Sequence, residues 1–402
     1  MNHIIYLLDS LTPLSLNKCI SKKYEKFKKN ENYIDQLSKN SIFFENAYGY
    51  GETYPTTFSM FTGKDIYNHY CDAWDIFSSF RSDINIAKYY KLKKFKTIYY
   101  RNCEPNAALS GSYERYLNSV TSNFDVACYK KKNLKYNFND FLHENNLLCA
   151  RNKKENFLFL IHDFFLHDYA YVQTSDKKYL QATDLISENV KKNLSLINYN
   201  SNKDFLFFLS DHGLTSTPND QIFFNNNLSK EKYDSYYKSL FIEEKIRFTF
   251  FIKTPENIKK VIKNTIISTD VFNVIKFMIN KKKGYKNFFL KISKLFRSDL
   301  FISLRDALKS PYNSSIFRSL FHCHFVYIKN HKKFIYSHNY PEKYLQQIDK
   351  KFYNIDKNII PKKFLVIINN YYSSVNLFKK FILINISIPI LIYKKILKLC
   401  LK

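Results

Sequence analysis

The chain has no paired-cysteine motif. Its seven cysteines are scattered and odd in number, and none forms a C-x-x-C pair; they are Cys19, Cys71, Cys103, Cys128, Cys149, Cys323 and Cys400. Such a set argues against a disulfide framework, which is typical of small secreted domains. We therefore expect a reduced, cytoplasmic location.

Long hydrophobic runs are also missing. No stretch reaches the ~18 consecutive apolar residues that a membrane-spanning helix requires. The first apolar run already begins at His3, so we expect no signal peptide before it. Both observations agree with the expected cytoplasmic location.

Glycine and acidic residues are scarce. The 402 residues include 6 Gly, and 35 Asp and Glu stand against 63 Lys and Arg, which gives a formal charge of +28. The lysines are spread among Asn, Ile, Tyr and Phe and form no basic stripe within a nucleic-acid module, which argues against nucleic acid as the partner. An anionic substrate or an anionic membrane surface fits the charge better.

The chain does contain short apolar runs that end in aspartate. They are HIIYLLD at His3–Asp9, FLFLIHD at Phe157–Asp163 and FLFFLSD at Phe205–Asp211, with helical patterns between them. Such runs are typical of buried strands in a parallel sheet. Together with strand patterns at Ile42–Ala47 and Ile246–Lys253, they predict an α/β fold whose mostly parallel central sheet is flanked by helices.

The pattern changes towards the C-terminus. We divide the chain into an α/β domain at 1–285, a small subdomain with a hairpin at 286–362 that completes the fold, and a basic apolar tail at 363–402. Within the tail, Phe381–Ile392 (FILINISIPILI) is too short to span a bilayer. Two interpretations remain for it: a segment in the membrane interface, which would place the protein at the inner face of the membrane, or a buried terminal element.

The segment TYPTTFSMFTG, from Thr53 to Gly63, predicts the start of a helix. Pro55 suits the first helical turn because of its fixed φ and missing N–H. Thr53 would then lie just before the helix, where free backbone N–H groups and the helix dipole favour phosphate or sulfate. Its hydroxyl is either a plain N-cap or a nucleophile that metal coordination activates.

Four side chains offer a matching set of metal ligands. Because ligands bind at the carboxyl ends of parallel strands, Asp9, Asp211 and His212 are expected to share one edge of the sheet with Thr53. Three oxygens and one nitrogen suit one divalent ion, with Zn²⁺ or Mn²⁺ favoured and Ca²⁺ or Mg²⁺ still open. Such an ion would lower the pKa of the Thr53 hydroxyl and neutralise charge on an ester.

These motifs resemble, in order and spacing, the sulfatase-like branch of the alkaline phosphatase superfamily. The family opens with a strand ending in a metal-binding Asp, as in IIYLLDS at Ile4–Ser10, followed by a strand and loop similar to FFENAY at Phe43–Tyr48. A nucleophile two residues before Pro comes next, which is the position of Thr53. SDHG at Ser210–Gly213 matches the second metal motif, and IRFTFFIKTP, STDVFNVI and HFVYIKN are similar to later segments.

The resemblance covers about 1–280 and a piece near 320–337, and it also shows departures. Sulfatases use a Cys or Ser that is converted to formylglycine and followed by Pro-Ser-Arg, whereas this chain has Thr53 with Thr56 and Thr57 after the proline. A Thr nucleophile is more similar to the phosphoethanolamine and phosphoglycerol transferases of the superfamily, which hold one metal. The second Asp that sulfatases carry after the first strand is Ser10 here.

The resemblance points to two further site residues. His167 lies where relatives carry a histidine, and it either holds the substrate, or protonates the leaving oxygen, or is a polar loop histidine. Lys64 lies where relatives carry a basic residue, and would contact the substrate anion. Asp163 is either a ligand or a cap at the end of its strand, whereas His162, inside the strand, is better explained as structural.

The resemblance therefore implies a metal-dependent hydrolase or transferase that acts on a phosphate or sulfate ester through Thr53. A glycan or a lipid-linked ester would fit the basic tail. The alternative is a noncatalytic relative that binds an anionic glycan or a partner protein, because the Arg after the nucleophile is missing. The sequence does not separate phosphate from sulfate, or hydrolysis from transfer.

Overall fold

The computed structural model describes most of the chain up to residue 370. The described residues are 2–51, 53–64, 85–102, 122–128, 137–147, 155–166, 175–213, 243–280, 284–305, 323–329, 332–337, 344–348, 351–354, 358 and 360–370. The predicted site residue His167 and the tail segment Phe381–Ile392 lie outside them.

An eight-stranded sheet forms the centre of the fold. Its strands are β1 (His3–Leu8), β2 (Ile42–Tyr48), β3 (Phe95–Asn102), β4 (Val126–Cys128), β5 (Asn156–Asp163), β6 (Phe205–Leu209), β7 (Phe250–Lys253) and β8 (Lys260–Ile267). Their order across the sheet is β4-β3-β5-β1-β6-β7-β2-β8. Only β7 runs antiparallel to its neighbours, and the other adjacent strands are parallel. The predicted mostly parallel α/β sheet is therefore confirmed.

Helices cover both faces of this sheet. They are α1 (Lys22–Glu25), α2 (Tyr33–Lys39), α3 (Thr53–Thr62), α4 (Ile86–Leu92), α5 (Phe138–Glu144), α6 (Asp176–Leu196), α7 (Glu243–Ile246), α8 (Ser268–Ile279) and α9 (Gly284–Ser293). One hydrophobic core lies between the sheet and α3, α4, α8 and α9. The other lies between the sheet and α1, α2, α5 and α6. In the described part of the chain, no helix is both long and apolar enough to cross a membrane.

The central strand shows why these apolar runs are continuous and not alternating. Side chains alternate between the two faces of a strand. Ile5 and Leu7 of β1 accordingly enter the first core, whereas Ile4, Tyr6 and Leu8 enter the second. All five are buried. If either face of the strand were open to water, apolar side chains would be exposed, so the strand is stable only between two layers of helices.

The strand order also gathers the aspartates. β1 lies between β5 and β6, with Leu8 opposite Asp163 and Leu7 opposite Leu209. The three strands predicted to end in aspartate are therefore neighbours, and their carboxyl ends share one edge with the first residue of α3. That edge is where parallel α/β sheets bind ligands.

A second, antiparallel sheet forms the C-terminal extension. Its strands are β9 (Asp299–Arg305), β10 (Cys323–Lys329), β11 (Lys332–Ser337), β12 (Tyr344–Ile348) and β13 (Lys351–Asn354), in the order β13-β12-β11-β10-β9. The predicted hairpin is β10–β11, with His324 opposite Ser337. A helical segment at 362–370 packs on this sheet, and Phe364 stacks on Tyr327 with 5.5 Å between ring centroids.

Candidate metal centre

Four side chains meet at the carboxyl edge of the central sheet. Asp9 follows β1, Asp211 and His212 follow β6, and Thr53 is the first residue of α3. The Thr53 hydroxyl donates to Asp9 Oδ2 at 3.1 Å and lies 3.3 Å from His212 Nε2. His212 Nε2 in turn lies 3.4 Å from Asp211 Oδ2. These are the four residues that the sequence predicted as ligands, although Thr53 begins the helix instead of preceding it.

The hydrogen bonds of His212 fix which ring nitrogen faces the cluster. Nδ1 lies 2.8 Å from the carbonyl oxygen of Gly213. A carbonyl only accepts, so the Nδ1 proton must be the donor. The neutral ring then presents the lone pair of Nε2 to Thr53 and the carboxylates, which is the tautomer that a metal ligand needs.

The two carboxyl groups repel each other in a buried site. Asp9, Asp211 and His212 are all buried. Burial, and then the nearby charge of Asp9, raise the pKa of the Asp211 carboxyl above its usual range. A divalent cation between these two buried carboxylates would offset their repulsion.

The geometry fits such a cation. Ligand atoms that lie about 2.1 Å from a tetrahedral ion are about 3.4 Å apart, close to the distances of 3.1, 3.3 and 3.4 Å that link Asp9, Thr53, His212 and Asp211. Asp211 Oδ2 is buried without a hydrogen-bond partner among the described residues. Asp9, Asp211 and His212 also form the one group of three metal-ligating side chains found within the described ranges.

The start of α3 is tied to the loop that precedes it. Thr57 donates to the carbonyl oxygen of Thr53 at 2.7 Å, and Thr56 accepts from the Tyr50 N–H at 3.0 Å. Both threonines are buried. These two contacts hold the first turn of α3, and with it Thr53, against the preceding loop.

Asp163 is close to the cluster but is engaged elsewhere. It accepts from the Tyr6 hydroxyl at 2.7 Å, from the Asn102 amide at 2.8 Å and from the Phe165 N–H at 3.1 Å. Burial is the main reason that its pKa is raised. Of the two interpretations of Asp163, these contacts favour the cap at the end of its strand. His162 is buried within β5 and lies 3.3 Å from the Tyr99 hydroxyl, as expected for a structural histidine.

Lys64 is not brought to the cluster. It follows the C-terminal end of α3, where its N–H donates to Thr62 Oγ1 at 3.2 Å and its side chain is exposed. A helix rises about 1.5 Å per residue, so about 15 Å of helix separates Lys64 from Thr53. That is more than a lysine side chain spans, and Lys64 does not enter our proposed site. His167 lies outside the described residues, and its role stays a prediction.

Two residues that contact the cluster or its loop were not among the predicted site residues. Ser10 donates its hydroxyl to Asp9 Oδ1 at 2.6 Å and its N–H to Asp211 Oδ1 at 3.0 Å. Tyr179 of α6 donates to the Ser10 carbonyl at 2.9 Å. The position of Ser10 directly after Asp9 was the one available hint, whereas Tyr179 is 169 residues away.

Comparisons with known proteins identify the fold. No protein-family model and no curated protein match the chain. Among solved structures, a protein in complex with its substrate D-glucosamine-2-N,6-O-disulfate is 11% identical, with a TM-score of 0.58 over 86% of this chain and 90% of that one. The phosphonate monoester hydrolase of Agrobacterium radiobacter is 10% identical, with a TM-score of 0.56 over 94% of this chain and 95% of that one.

A third structure, a 2-O glycosaminoglycan sulfatase, is 10% identical, with a TM-score of 0.54 over 96% of this chain and 94% of that one. The three matches span nearly the whole of both chains in each pair. The protein therefore has the sulfatase-like fold of the alkaline phosphatase superfamily, as the sequence motifs indicated. At these identities the likeness shows the fold, and the chemistry has to be argued from the site.

Proposed function

We propose that this protein is a metal-dependent enzyme of the sulfatase-like type that cleaves or transfers a phosphate or sulfate ester, with Thr53 as the nucleophile. One observation carries the proposal: the Thr53 hydroxyl lies between Asp9 Oδ2 at 3.1 Å and His212 Nε2 at 3.3 Å. A threonine that only capped the helix would have no reason to face a buried Asp–Asp–His group 44 and 159 residues away.

The metal would be held by Asp9, Asp211, His212 and Thr53. When bound, it supplies Lewis-acid stabilisation of the ester's charge and lowers the pKa of the Thr53 hydroxyl. The set of three oxygens and one nitrogen supports Zn²⁺ or Mn²⁺ before Ca²⁺ or Mg²⁺.

The proposed reaction proceeds by transfer of the phosphate or sulfate group to Thr53 and then to an acceptor. Thr53 Oγ1 releases its proton to solvent, because coordination lowers the pKa of the hydroxyl, and the oxygen then attacks the phosphorus or sulfur. The bond from phosphorus or sulfur to the leaving oxygen breaks as the new bond to Oγ1 forms. The free N–H groups at the start of α3 face the negative charge of the transferred group. The esterified Thr53 is finally resolved by water or by an acceptor hydroxyl.

The substrate class follows from charge and from the comparisons. A chain with a formal charge of +28 favours an anionic partner. One structural neighbour was solved with a sulfated glucosamine as its substrate, which supports an anionic glycan ester for this protein as well. A lipid-linked ester remains our second candidate.

Trapping of the esterified threonine tests the proposal. The purified protein, loaded with Zn²⁺ or Mn²⁺, is mixed with a set of chromogenic phosphomonoesters, phosphodiesters, phosphonate esters and sulfate esters. The reaction is quenched in acid, and the peptide containing Thr53 is examined by mass spectrometry. We expect about 80 Da to be added at Thr53 by phosphate or sulfate transfer, and no addition in Thr53→Ala.

Thr53→Ser is the matched control, because it keeps a hydroxyl on the same backbone. It should retain turnover and form the same adduct, whereas Thr53→Ala should lose at least about 1,000-fold in kcat. Metal binding without turnover of any ester, together with binding of a sulfated glycan that Thr53→Ala leaves intact, would contradict the proposal. That result would favour a noncatalytic binding protein.

A further inference from the structure

Each carboxylate of the candidate metal centre has one oxygen engaged and one oxygen facing the cluster. Asp9 Oδ1 accepts the Ser10 hydroxyl at 2.6 Å, whereas Asp9 Oδ2 faces Thr53. Asp211 Oδ1 accepts the N–H groups of Ser10 at 3.0 Å and His212 at 2.8 Å, whereas Asp211 Oδ2 faces the ring of His212. Ser10 therefore contacts both carboxylates through their Oδ1 atoms.

An unusual backbone conformation lets one residue make both contacts. Ser10 has φ of +67°, in the left-handed region that residues other than glycine seldom adopt. This turn directs the N–H of Ser10 to Asp211 while its hydroxyl folds back onto Asp9. Ser10 is fully buried, so neither contact competes with water.

Tyr179 fixes the turn from the other side. Its hydroxyl donates to the carbonyl of Ser10 at 2.9 Å and accepts from the N–H of Thr12 at 3.1 Å. The ring is buried on α6, which spans 21 residues and packs on the sheet through its apolar face. The loop after β1 is thus held by a rigid helix, and the conformation of Ser10 is fixed before any ion binds.

We propose that Ser10 is a positioning residue that holds Asp9 and Asp211 in one-oxygen coordination and thereby sets the metal selectivity of the site. Zn²⁺ is usually coordinated by four ligands. Ca²⁺ takes six to eight oxygens and often uses both oxygens of a carboxylate. With Oδ1 of each aspartate engaged by Ser10, the site offers few oxygens, which favours Zn²⁺ over Ca²⁺. This inference rests on the proposed metal centre and goes beyond it, because it assigns a role to a residue that is not itself a ligand.

The test compares the metal affinities of wild type, Ser10→Gly and Ser38→Ala. Glycine keeps the left-handed conformation and the backbone N–H but removes the hydroxyl. Ser38 is the matched control, because it is a buried serine of α2, outside the loop that Tyr179 holds, and its hydroxyl donates to Asp35 O at 2.8 Å. Zn²⁺ and Ca²⁺ are titrated separately into metal-free protein, and the absorption spectrum of the Co²⁺-loaded protein reports the coordination geometry.

We expect Ser10→Gly to bind Zn²⁺ about 10- to 100-fold more weakly, with Ca²⁺ affinity unchanged or higher. The intense visible bands of tetrahedral Co²⁺ should weaken in parallel, and Ser38→Ala should match wild type in all three measurements. Tyr179→Phe, which leaves both aspartates and Ser10 in place, should shift the Zn²⁺ affinity in the same direction by a smaller factor.

Two results would overturn the inference, and they are distinguishable. Wild-type protein that binds none of the three ions would remove the metal centre and the proposed function with it. Wild-type protein that binds Zn²⁺, with Ser10→Gly equal to it in Zn²⁺/Ca²⁺ ratio and Co²⁺ spectrum, would leave the metal centre intact and show that Ser10 does not set its selectivity.

Discussion

Gly49 and Asp211 approach so closely that a Cβ on residue 49 would lie 3.0 Å from the carbonyl oxygen of Asp211. The same Cβ would lie 2.8 Å from the Cγ2 of Thr56. Gly49 thus allows the end of β2, the start of α3 and the loop that carries Asp211 to meet. The proximity of Thr53 to Asp9, Asp211 and His212 depends on this contact between three segments.

We predict that Gly49→Ala both destabilises the fold and weakens the metal site. The methyl group must push apart two packed segments, which costs about 1–3 kcal/mol of unfolding free energy. Denaturant unfolding measures the stability, and zinc titration measures the site. Gly284→Ala is the control: φ there is +80° but nothing lies within 4 Å, so it should cost about 1–2 kcal/mol and leave zinc binding unchanged. Equal zinc affinity in both variants would show that Gly49 does not position the site.

Asp211→Asn should not destabilise the metal-free protein, but it should reduce the stability that the protein gains from bound metal. Without metal, the change removes a charge that Asp9 repels, and Oδ1 can still accept from Ser10 and His212. The unfolding midpoint should therefore stay the same or rise. With Zn²⁺ at 100 times its Kd, wild type should gain about 2.7 kcal/mol, and the variant much less. A loss of stability without metal would mean that the Asp211 charge stabilises the empty site.

The strands that precede Asp9 and Asp211 could be predicted from the sequence because they are buried on both faces. β1, β5 and β6 therefore appear as unbroken apolar runs, and their ends place Asp9 and Asp211. β8 escaped notice for the opposite reason: it is an edge strand in which exposed Lys260 and Lys263 interrupt the apolar positions. Period and composition reveal a strand well when both of its faces are covered.

The predicted strand Ile246–Lys253 was wrong in its first half. Only Phe250–Lys253 is a strand, and Ile246 ends α7. The N–H of Phe248 donates to Ala47 O at 3.0 Å, and Thr249 O accepts from Ser210 at 2.9 Å. These contacts join distant parts of the chain, as does the contact of Tyr179 with Ser10. Local pattern carries no trace of such pairings, so the sequence analysis named the residues of the cluster but missed Tyr179, which contacts the loop beside it.

Asp35 gives a prediction that concerns stability alone. Its carboxylate is buried and pairs with Lys28 at 2.6 Å, and it accepts from the N–H groups of Asn17 at 2.8 Å and Asn32 at 3.2 Å. Asp35→Ala leaves the buried ammonium of Lys28 without this partner, so we expect a loss of about 3–5 kcal/mol. Asn32→Ala removes the helix cap and an exposed hydrogen bond to Asp184, and should cost about 1 kcal/mol. Urea unfolding compares the two, and equal losses would mean that the ion pair adds nothing beyond the cap.

The resemblance places Lys64 at the substrate anion, whereas in the structure Lys64 follows the C-terminal end of α3. About 15 Å of helix lies between it and Thr53, and its side chain is exposed. We therefore expect Lys64→Ala to change both kcat and the Michaelis constant by less than about 2-fold, since an exposed charge this far away is largely screened at physiological salt.

The measurement is steady-state kinetics on whichever ester Thr53 is found to cleave, with Thr53→Ala as the inactive reference. Lys88→Ala, which removes another exposed lysine from α4, controls for the change in net charge. If the Michaelis constant rises by about 10-fold or more in Lys64→Ala, and does not rise similarly in Lys88→Ala, Lys64 reaches the substrate anion after all. That outcome would require a substrate long enough to extend along α3, since the helix itself holds the two residues apart.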